Sequence, residues 1–191
     1  MAKSAFILVL SAPSGAGKSA VLEEVMKNTP GLELSVSVTT RPPRPGEVEG
    51  VDYYFMPREE FEKRIGKNEF LEFAVVHDNL YGTLKSELDR HLRSGNDVVL
   101  ELDVQGMRNI RQFVKQMVSV FLMPPSLDEL KNRLRKRGTE TEEALALRLR
   151  NAEREIAARG EFDYIVVNEQ VADAAADLRA ILRAEHCRTH R

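Results

Sequence analysis

Four short apolar runs, each rich in β-branched or aromatic side chains, are spread along the chain and separated by stretches of helical character. They span residues 6–10, 98–102, 118–122 and 164–167. Runs of this length that are apolar at all or nearly all positions predict strands that are buried on both faces of a sheet. Their alternation with helices predicts an α/β fold in which a parallel sheet is flanked by helices.

Apolar residues at three- and four-residue spacing predict the helices between these strands. Val21, Leu22 and Val25 predict a helix that ends before Pro30, and a short helix is predicted over 105–114. The later helical stripes are Leu127, Leu130 and Leu134, then Leu145, Leu149, Ala152 and Ile156, and finally Leu178, Ile181 and Leu182. The arginine-rich end at 183–191 is interpreted as a frayed, solvated tail.

The stretch from about residue 34 to 94 breaks this alternation. It begins S-V-S-V-T-T-R-P-P-R-P-G-E, in which polar and apolar residues alternate before three prolines. A short helix is predicted over 58–65 and a strand over 70–76, where Phe70 and Glu72 would share one face. The pattern predicts a small, partly antiparallel subdomain inserted between the first two predicted core strands.

Composition narrows the class of protein. The chain has 191 residues, enough for one sizeable core, and a formal net charge of −2, which argues against a nucleic-acid or membrane binder that relies on positive charge. The single cysteine, Cys187, excludes an intrachain disulfide and favours a reducing compartment. With no signal-peptide pattern and no apolar run of membrane-spanning length, we expect a cytoplasmic protein.

A glycine-rich turn directly follows the first apolar run. It matches the phosphate-binding pattern G-x-x-x-x-G-K-S/T except at its first position, and it consists of Ala12, Pro13, Ser14, Gly15, Ala16, Gly17, Lys18 and Ser19. Backbone N–H groups of such a turn, together with the start of the next helix, bind phosphate oxygens. Lys18 can bridge the terminal phosphates of a nucleoside triphosphate, and the Ser19 hydroxyl can ligate Mg²⁺.

Two arginines mark the beginning of the inserted stretch. Arg41 and Arg44 stand three residues apart, and Pro42 and Pro43 between them restrict the backbone. Arginines on a stiffened loop can form bidentate hydrogen bonds to a phosphate. The segment is therefore a candidate second phosphate site, although a pair of solvated surface arginines would look the same by itself.

The motifs together resemble guanylate kinase over about residues 5–185. The resemblance rests on S-A-P-S-G-A-G-K-S, S-V-S-V-T-T-R-P-P-R-P-G-E, D-Y-Y-F, F-L-E-F, Y-G-T, L-D-V-Q-G, R-L-R-K-R-G-T-E-T-E-E and Y-I-V-V-N-E, in this order. It implies a P-loop NTPase-type sheet with an inserted GMP-binding α+β subdomain and a helical lid. We expect one domain, with a core over about 4–33, 95–125 and 160–191, the subdomain over about 34–94 and the lid over about 126–159.

The resemblance also assigns roles to individual residues. Those matching positions that hold the GMP phosphate are Ser37, Arg41, Arg44, Tyr53 and Tyr81. Those matching the guanine reader and its surroundings are Glu72, Ser37 and Thr83. Acidic residues near GMP and the metal are Glu101 and Asp103, with Asp103 and Ser19 as candidate Mg²⁺ ligands. The lid arginines are Arg133, Arg137 and Arg148, which together with Lys18 and Arg41 form the expected catalytic set, and Asn168 matches a residue near the adenine of ATP.

The expected reaction is Mg²⁺-dependent transfer of the ATP γ-phosphate to GMP, giving ADP and GDP. A carboxylate such as Glu72 suits guanine, because the ring N–H and the amino group present two adjacent donors that adenine lacks. The expected partners are ATP and GMP, without nucleic acid or membrane, and the oligomeric state is left open. The alternatives are a ribose 1,5-bisphosphate kinase and a non-catalytic, peptide-binding domain of the same fold.

Overall fold

The computed structural model describes residues 5–76, 78–114, 116–136 and 142–189. The strands are β1 (Ile7–Ser11), β2 (Leu32–Leu34), β3 (Val38–Thr39), β4 (Tyr54–Phe55), β5 (Phe70–Val76), β6 (Asn79–Leu84), β7 (Asp97–Glu101), β8 (Met117–Met123) and β9 (Tyr164–Val167). The helices are α1 (Lys18–Lys27), α2 (Arg58–Gly66), α3 (Lys85–Arg93), α4 (Val104–Phe113), α5 (Leu127–Lys136), α6 (Glu142–Ala157) and α7 (Val171–His186), with a 3-10 turn at Ala158–Glu161.

A five-stranded parallel sheet forms the centre of the structure, in the order β2-β7-β1-β8-β9. Alternate residues of β1 pack into two different cores. Leu8 and Leu10 contact the side covered by α1 and α7, whereas Ile7 and Val9 contact the side that includes α4. Burial on both faces explains why β1 is apolar at almost every position. The predicted α/β fold and its four strands are confirmed.

Strand β2 and helix α3 were not predicted from the sequence. Strand β2 has only three residues, of which Leu32 alone is fully buried, so it carries too little pattern to be recognised. It pairs with β7, and the inserted segment therefore begins after a fifth core strand. Helix α3 has polar residues, Glu87 and His91, at buried positions where a helical stripe would normally be apolar.

The inserted segment forms a four-stranded mixed sheet in the order β4-β3-β6-β5, with α2 packed on it. Strand β3 pairs in parallel with β4 and antiparallel with β6, which also pairs antiparallel with β5. Phe61 of α2 and Phe70 of β5 stack with ring centroids 4.2 Å apart in its core. The predicted partly antiparallel character is confirmed.

The carboxyl-terminal end differs from its prediction. Helix α7 continues to His186, and Glu185 is buried and accepts a hydrogen bond from the Tyr164 hydroxyl. His186 Nε2 lies 2.6 Å from Asp97 Oδ2, and its ring packs edge-on against Phe6. The interpretation of 183–191 as a frayed, solvated tail is therefore wrong for Glu185 and His186, because polar partners hold both side chains in the last turn of α7. No helix within the described ranges is long and apolar enough to cross a membrane.

Candidate active site

The turn after β1 has the geometry of a phosphate-binding loop. Gly15 and Gly17 have φ values of 91° and 88°, which only glycine adopts readily, and Gly17 is the N-cap of α1. Ala12 does not have a positive φ, so its methyl group is compatible with the turn. The pocket at the start of α1 is lined by Ala12, Pro13, Ser14, Gly15, Gly17, Lys18, Ser19, Ala20 and Glu155. Of the predicted loop residues, only Ala16 does not line it.

Asn168 supports this loop. Its Nδ2 donates a 2.7 Å hydrogen bond to the carbonyl oxygen of Ala16, and its side chain is almost fully buried. The backbone carbonyl of Asn168 accepts a 3.2 Å hydrogen bond from Arg133 Nη2 of α5. Asn168 thus contacts the phosphate-binding loop through its side chain, and the buried amide has little surface with which to face an adenine.

We expect Gly17→Ala to destabilise the protein more than the same change at Gly95. Both glycines have positive φ, so alanine costs about 1–2 kcal/mol at either position. A Cβ at Gly17 would also overlap Asn168 Nδ2, which adds about 1–3 kcal/mol, whereas a Cβ at Gly95 meets no described atom within 4 Å. Urea unfolding of both variants measures the difference. Equal losses of stability would contradict the role given to Asn168.

Acidic residues at the carboxyl end of β7 lie beside the loop. Lys18 Nζ is 3.1 Å from Glu101 Oε2, consistent with the pairing of Leu10 and Glu101 in adjacent strands. Asp103 caps α4, since its Oδ1 accepts a 2.7 Å hydrogen bond from the Gly106 N–H. The cap fixes one carboxylate oxygen of Asp103 and leaves the other available at the edge of the sheet.

A second cavity, of about 430 Å³, lies next to the pocket at the start of α1. We call this second cavity the acceptor cavity and the pocket at the start of α1 the loop pocket. The walls of the acceptor cavity include residues of both sheets and of α6, and the predicted site residues among them are Ser14, Ser37, Tyr53, Glu72, Tyr81, Glu101, Asp103 and Arg148. Thr83 is buried and contacts Glu72. The structure therefore brings most of the predicted acceptor residues together, although the resemblance linked them across more than 100 positions of sequence.

Glu72 is a buried carboxylate in the wall of this cavity. Its Oε1 accepts a 2.9 Å hydrogen bond from Thr83 Oγ1, and the side chain is 8% exposed. Burial, which the smaller hydrogen-bond effect of the Thr83 hydroxyl opposes and the charge of Asp103 reinforces, raises the pKa of Glu72 to about 7. A ligand that donates two hydrogen bonds to this buried carboxylate would stabilise its charged form.

A register shift in β5 turns Glu72 toward the cavity. Phe70 pairs with Leu84 and Glu72 pairs with Thr83, so two residues of β5 correspond to one step along β6. Phe70 consequently packs in the core of the smaller sheet, while Glu72 faces the cavity. The prediction that the two residues share one face is wrong, because the alternation of a regular strand does not hold across a bulge.

Arg41 lies at the side of the cavity among aromatic residues. Its Nε donates a 3.2 Å hydrogen bond to the Tyr81 hydroxyl, and its guanidinium carbon is 5.2 Å from the centroid of the Tyr53 ring. Glu47 binds the other edge of the guanidinium. The Arg44 side chain is exposed. Sequence reasoning missed Glu47, and its signal was an acidic residue six positions after Arg41 in the same proline-rich segment.

Helices α5 and α6 contribute two of the three predicted lid arginines. Arg148 lines the acceptor cavity, and Arg133 pairs with Glu129 while contacting the end of β9. Arg137 lies outside the described residues. Glu155, which the sequence analysis missed, follows Arg148 by seven residues and lines both the cavity and the loop pocket. Burial and the nearby charge of Asp103 raise the pKa of Glu155 to about 7, and Lys18 lowers it.

A P-loop at the end of a parallel strand, next to a cavity with a buried carboxylate in its wall and an arginine-bearing loop beside it, defines a small-molecule kinase of the P-loop class. The family model for guanylate kinase matches residues 4–185. The chain is 47% identical to the guanylate kinase of Clostridium tetani, covering 97% of this chain and 88% of that protein. It is 45% identical to that of Desulfitobacterium hafniense, over 97% and 92%. The chain belongs to the guanylate kinase family.

A solved structure agrees with this assignment. The crystal structure of guanylate kinase from Anaplasma phagocytophilum superposes with a TM-score of 0.80 at 36% identity, covering 98% of this chain and 89% of that one. Another solved structure, TT1252 from Thermus thermophilus, has a TM-score of 0.52 at 17% identity and shares the fold. The P-loop NTPase-type architecture that the motifs implied is thus confirmed.

Proposed function

We propose that this protein catalyses the reversible, Mg²⁺-dependent transfer of the ATP γ-phosphate to GMP, giving ADP and GDP. The observation that carries the proposal is that the loop pocket and the acceptor cavity share Ser14 and Glu155 in their walls. A triphosphate and a monophosphate bound on either side would be close enough for direct in-line transfer. The proposed setting is purine nucleotide metabolism and GMP recycling in the cytoplasm.

Glu72 and Thr83 support recognition of guanine. An ionised Glu72 would accept hydrogen bonds from the ring N–H and the amino group, and the Thr83 hydroxyl orients one of its oxygens. Adenine offers no such pair of donors and would leave the buried charge without partners. Ser37 lines the same cavity and is proposed to contact the base or the phosphate.

The acceptor phosphate is proposed to bind beside the aromatic pair Tyr53 and Tyr81, whose rings meet edge-on. Tyr81 already accepts a hydrogen bond from Arg41, so its own O–H proton is available for an anion. Arg44, on the same loop as Arg41, has an exposed side chain and is proposed to contact the phosphate as well. Charge from two arginines and donors from two tyrosines would hold a phosphate dianion.

Lys18, the loop N–H groups and Ser19 are proposed to bind the donor triphosphate. Mg²⁺ usually keeps several waters and takes one or two protein ligands together with phosphate oxygens. The Ser19 hydroxyl and the uncapped oxygen of Asp103 fit that requirement, because both are oxygen ligands at this edge of the sheet. When bound, Mg²⁺ would neutralise charge on the bridging phosphates. Asn168 would act by holding the loop rather than by contacting adenine.

Arg133, Arg137 and Arg148 are proposed to bring positive charge over the transferring group. Phosphoryl transfer is accelerated mainly by positioned charge, so no protein nucleophile is required. Arg148 supports this role best, since it already lines the acceptor cavity. Closure of α5 and α6, which carry Arg133 and Arg148, would also exclude water from the reaction.

The proposed function is tested by steady-state kinetics with ATP and three acceptors: GMP, AMP and ribose 1,5-bisphosphate. We expect kcat/KM to be highest for GMP by at least about 100-fold, because only guanine satisfies Glu72. A ribose 1,5-bisphosphate kinase, the alternative raised by the P-loop, would have no need for a buried carboxylate beside Thr83. A higher kcat/KM for either competitor would overturn the proposal.

A non-catalytic peptide-binding domain is not favoured. Such a domain has no use for a lysine and a serine at the start of α1, whereas Lys18 and Ser19 both line the loop pocket here. Production of ADP that depends on GMP would exclude this alternative directly.

A further inference from the structure

The Arg41 guanidinium is held by an acidic residue of its own loop. Nη1 and Nη2 donate hydrogen bonds of 2.8 and 2.9 Å to the two carboxylate oxygens of Glu47. Arg41 also donates to the Tyr81 hydroxyl through Nε and to the Pro42 carbonyl through Nη1. The side chains of Arg41 and Glu47 are only 10% and 18% exposed.

These bonds change the expected role of Arg41. A guanidinium has five N–H donors, and the four hydrogen bonds to residues that the structure describes leave one on Nη2. The two-donor edge that would form a bidentate contact with a phosphate is occupied by Glu47. The prediction of a bidentate phosphate contact therefore does not hold for Arg41 in this conformation.

Glu47 is itself fixed by the loop. Its Oε2 accepts a 2.7 Å hydrogen bond from the Arg44 N–H, and its own N–H donates 3.1 Å to the Arg44 carbonyl. Gly46, with φ of 89°, allows this tight return of the chain. One carboxylate thus joins the side chain of Arg41 to the backbone of Arg44.

We propose that Glu47 is a positioning residue of the acceptor site, which orients Arg41 and the Arg44 backbone for the GMP phosphate without contacting GMP. This inference rests on the proposed function. The bidentate pair holds the guanidinium against the rings of Tyr53 and Phe55 and beside the Tyr81 hydroxyl. Prepositioned charge binds an anion more tightly than a mobile arginine does, because no side-chain freedom is lost on binding.

A competing role makes the opposite prediction. If Glu47 occupied the place of the phosphate, GMP would have to displace it, and removal of its charge would tighten GMP binding. The anchoring of Glu47 by the Arg44 N–H favours positioning, because displacement would break three hydrogen bonds at once. Arg41 and the Arg44 N–H also lower the pKa of Glu47 to about 2, so it remains charged throughout the working pH range.

The test is the steady-state kinetics of Glu47→Gln with Glu49→Gln as the matched control. Glu49 lies in the same loop and accepts a hydrogen bond from the Phe55 N–H, but it is not bonded to Arg41. We expect Glu47→Gln to raise KM for GMP by about 10- to 50-fold, the effect of losing charged hydrogen bonds, with KM for ATP and kcat within about threefold of wild type. Glu49→Gln should change none of these constants by more than about twofold.

The background variant Arg41→Lys separates positioning from a general loss of structure. If Glu47 acts through Arg41, Glu47→Gln should raise KM for GMP much less in that background than in the wild type. The inference would be overturned if Glu47→Gln raised KM for GMP as much in the Arg41→Lys background as in the wild type. It would also be overturned if Glu47→Gln alone left KM for GMP unchanged or lowered it. A wild-type protein that does not phosphorylate GMP would instead overturn the proposed function, so the two failures are distinguishable.

Discussion

Replacing Lys18 with alanine is expected to lower kcat by about 100- to 1,000-fold or more, while the affinity for GMP changes little. Lys18 begins α1 and lines the loop pocket, where its charge would lie against the terminal phosphates. Charge placed where negative charge develops contributes mainly to the transition state, and loss of one such group costs roughly that much rate. The acceptor cavity does not include Lys18, so GMP binding should persist.

Lys27→Ala is the matched control for this experiment. Lys27 lies at the other end of the same helix and pairs with Glu23 on the surface, 2.9 Å away. Its removal tests any effect of losing a lysine from α1 on folding, and we expect kcat to remain within about twofold of wild type. Steady-state kinetics give kcat, and calorimetric titration gives the GMP affinity. A fully active Lys18→Ala protein would contradict the assignment of the phosphate-binding loop.

Replacing Glu72 with glutamine is expected to lower kcat/KM for GMP by about 10- to 150-fold, equivalent to about 1.5–3 kcal/mol. Glutamine keeps one acceptor oxygen for Thr83 but places an NH₂ group against the N–H donors of guanine. Discrimination between GMP and AMP should fall accordingly. Glu69→Gln is the control, because Glu69 lies just before β5 and pairs with Arg64 at the surface. Unchanged discrimination in Glu72→Gln would exclude Glu72 as the base reader.

The same substitution should make the protein more stable at alkaline pH. The raised pKa of Glu72 means that the folded state disfavours its charged form, so wild-type stability falls as pH rises from about 4.5 to about 7 and is level above that. Glutamine removes this penalty, which has an upper limit of about 3 kcal/mol. We expect Glu72→Gln to raise Tm at pH 8 and to leave it nearly unchanged at pH 4.5. Thermal unfolding at the two pH values measures this, and an equal Tm at pH 8 would contradict it.

GMP binding should show the opposite dependence on pH. The donors of guanine require an ionised Glu72, so the affinity for GMP is expected to rise with pH through about 7. Function and stability thus make opposite demands on this carboxylate, which is a common feature of binding sites.

Local patterns predicted most of the fold. The strand β8 and the helix α6 were recognised because burial on one or both faces leaves a regular apolar pattern in the sequence. Strand β2 and helix α3 were not, because β2 is very short and because the buried face of α3 includes Glu87 and His91. The pairing of Glu87 with Arg90 and His91 compensates these polar groups, and such compensation is invisible to an analysis of hydrophobicity.

The site was predictable where its chemistry is contiguous in sequence. The loop at 12–19 is one such segment, and its phosphate-binding geometry follows from two glycines and a helix start. Glu155 and Glu47 were missed because each acquires its role from tertiary contacts, with the pocket walls and with Arg41 respectively. The true orientation of Glu72 depends on a bulge, which no alternation rule predicts.

The order of strands in the larger sheet has a consequence for how such a protein can diversify. Strand β1, which ends at the phosphate-binding loop, is central, whereas the smaller sheet is connected through β2 and β7 on one side and helices α5 and α6 through β8 and β9 on the other. Each connection leaves and rejoins the sheet at neighbouring strands. Either segment could therefore be replaced without changing the other. The acceptor site and the α5–α6 segment can thus evolve separately, while the strand that ends at the phosphate-binding loop stays unaltered.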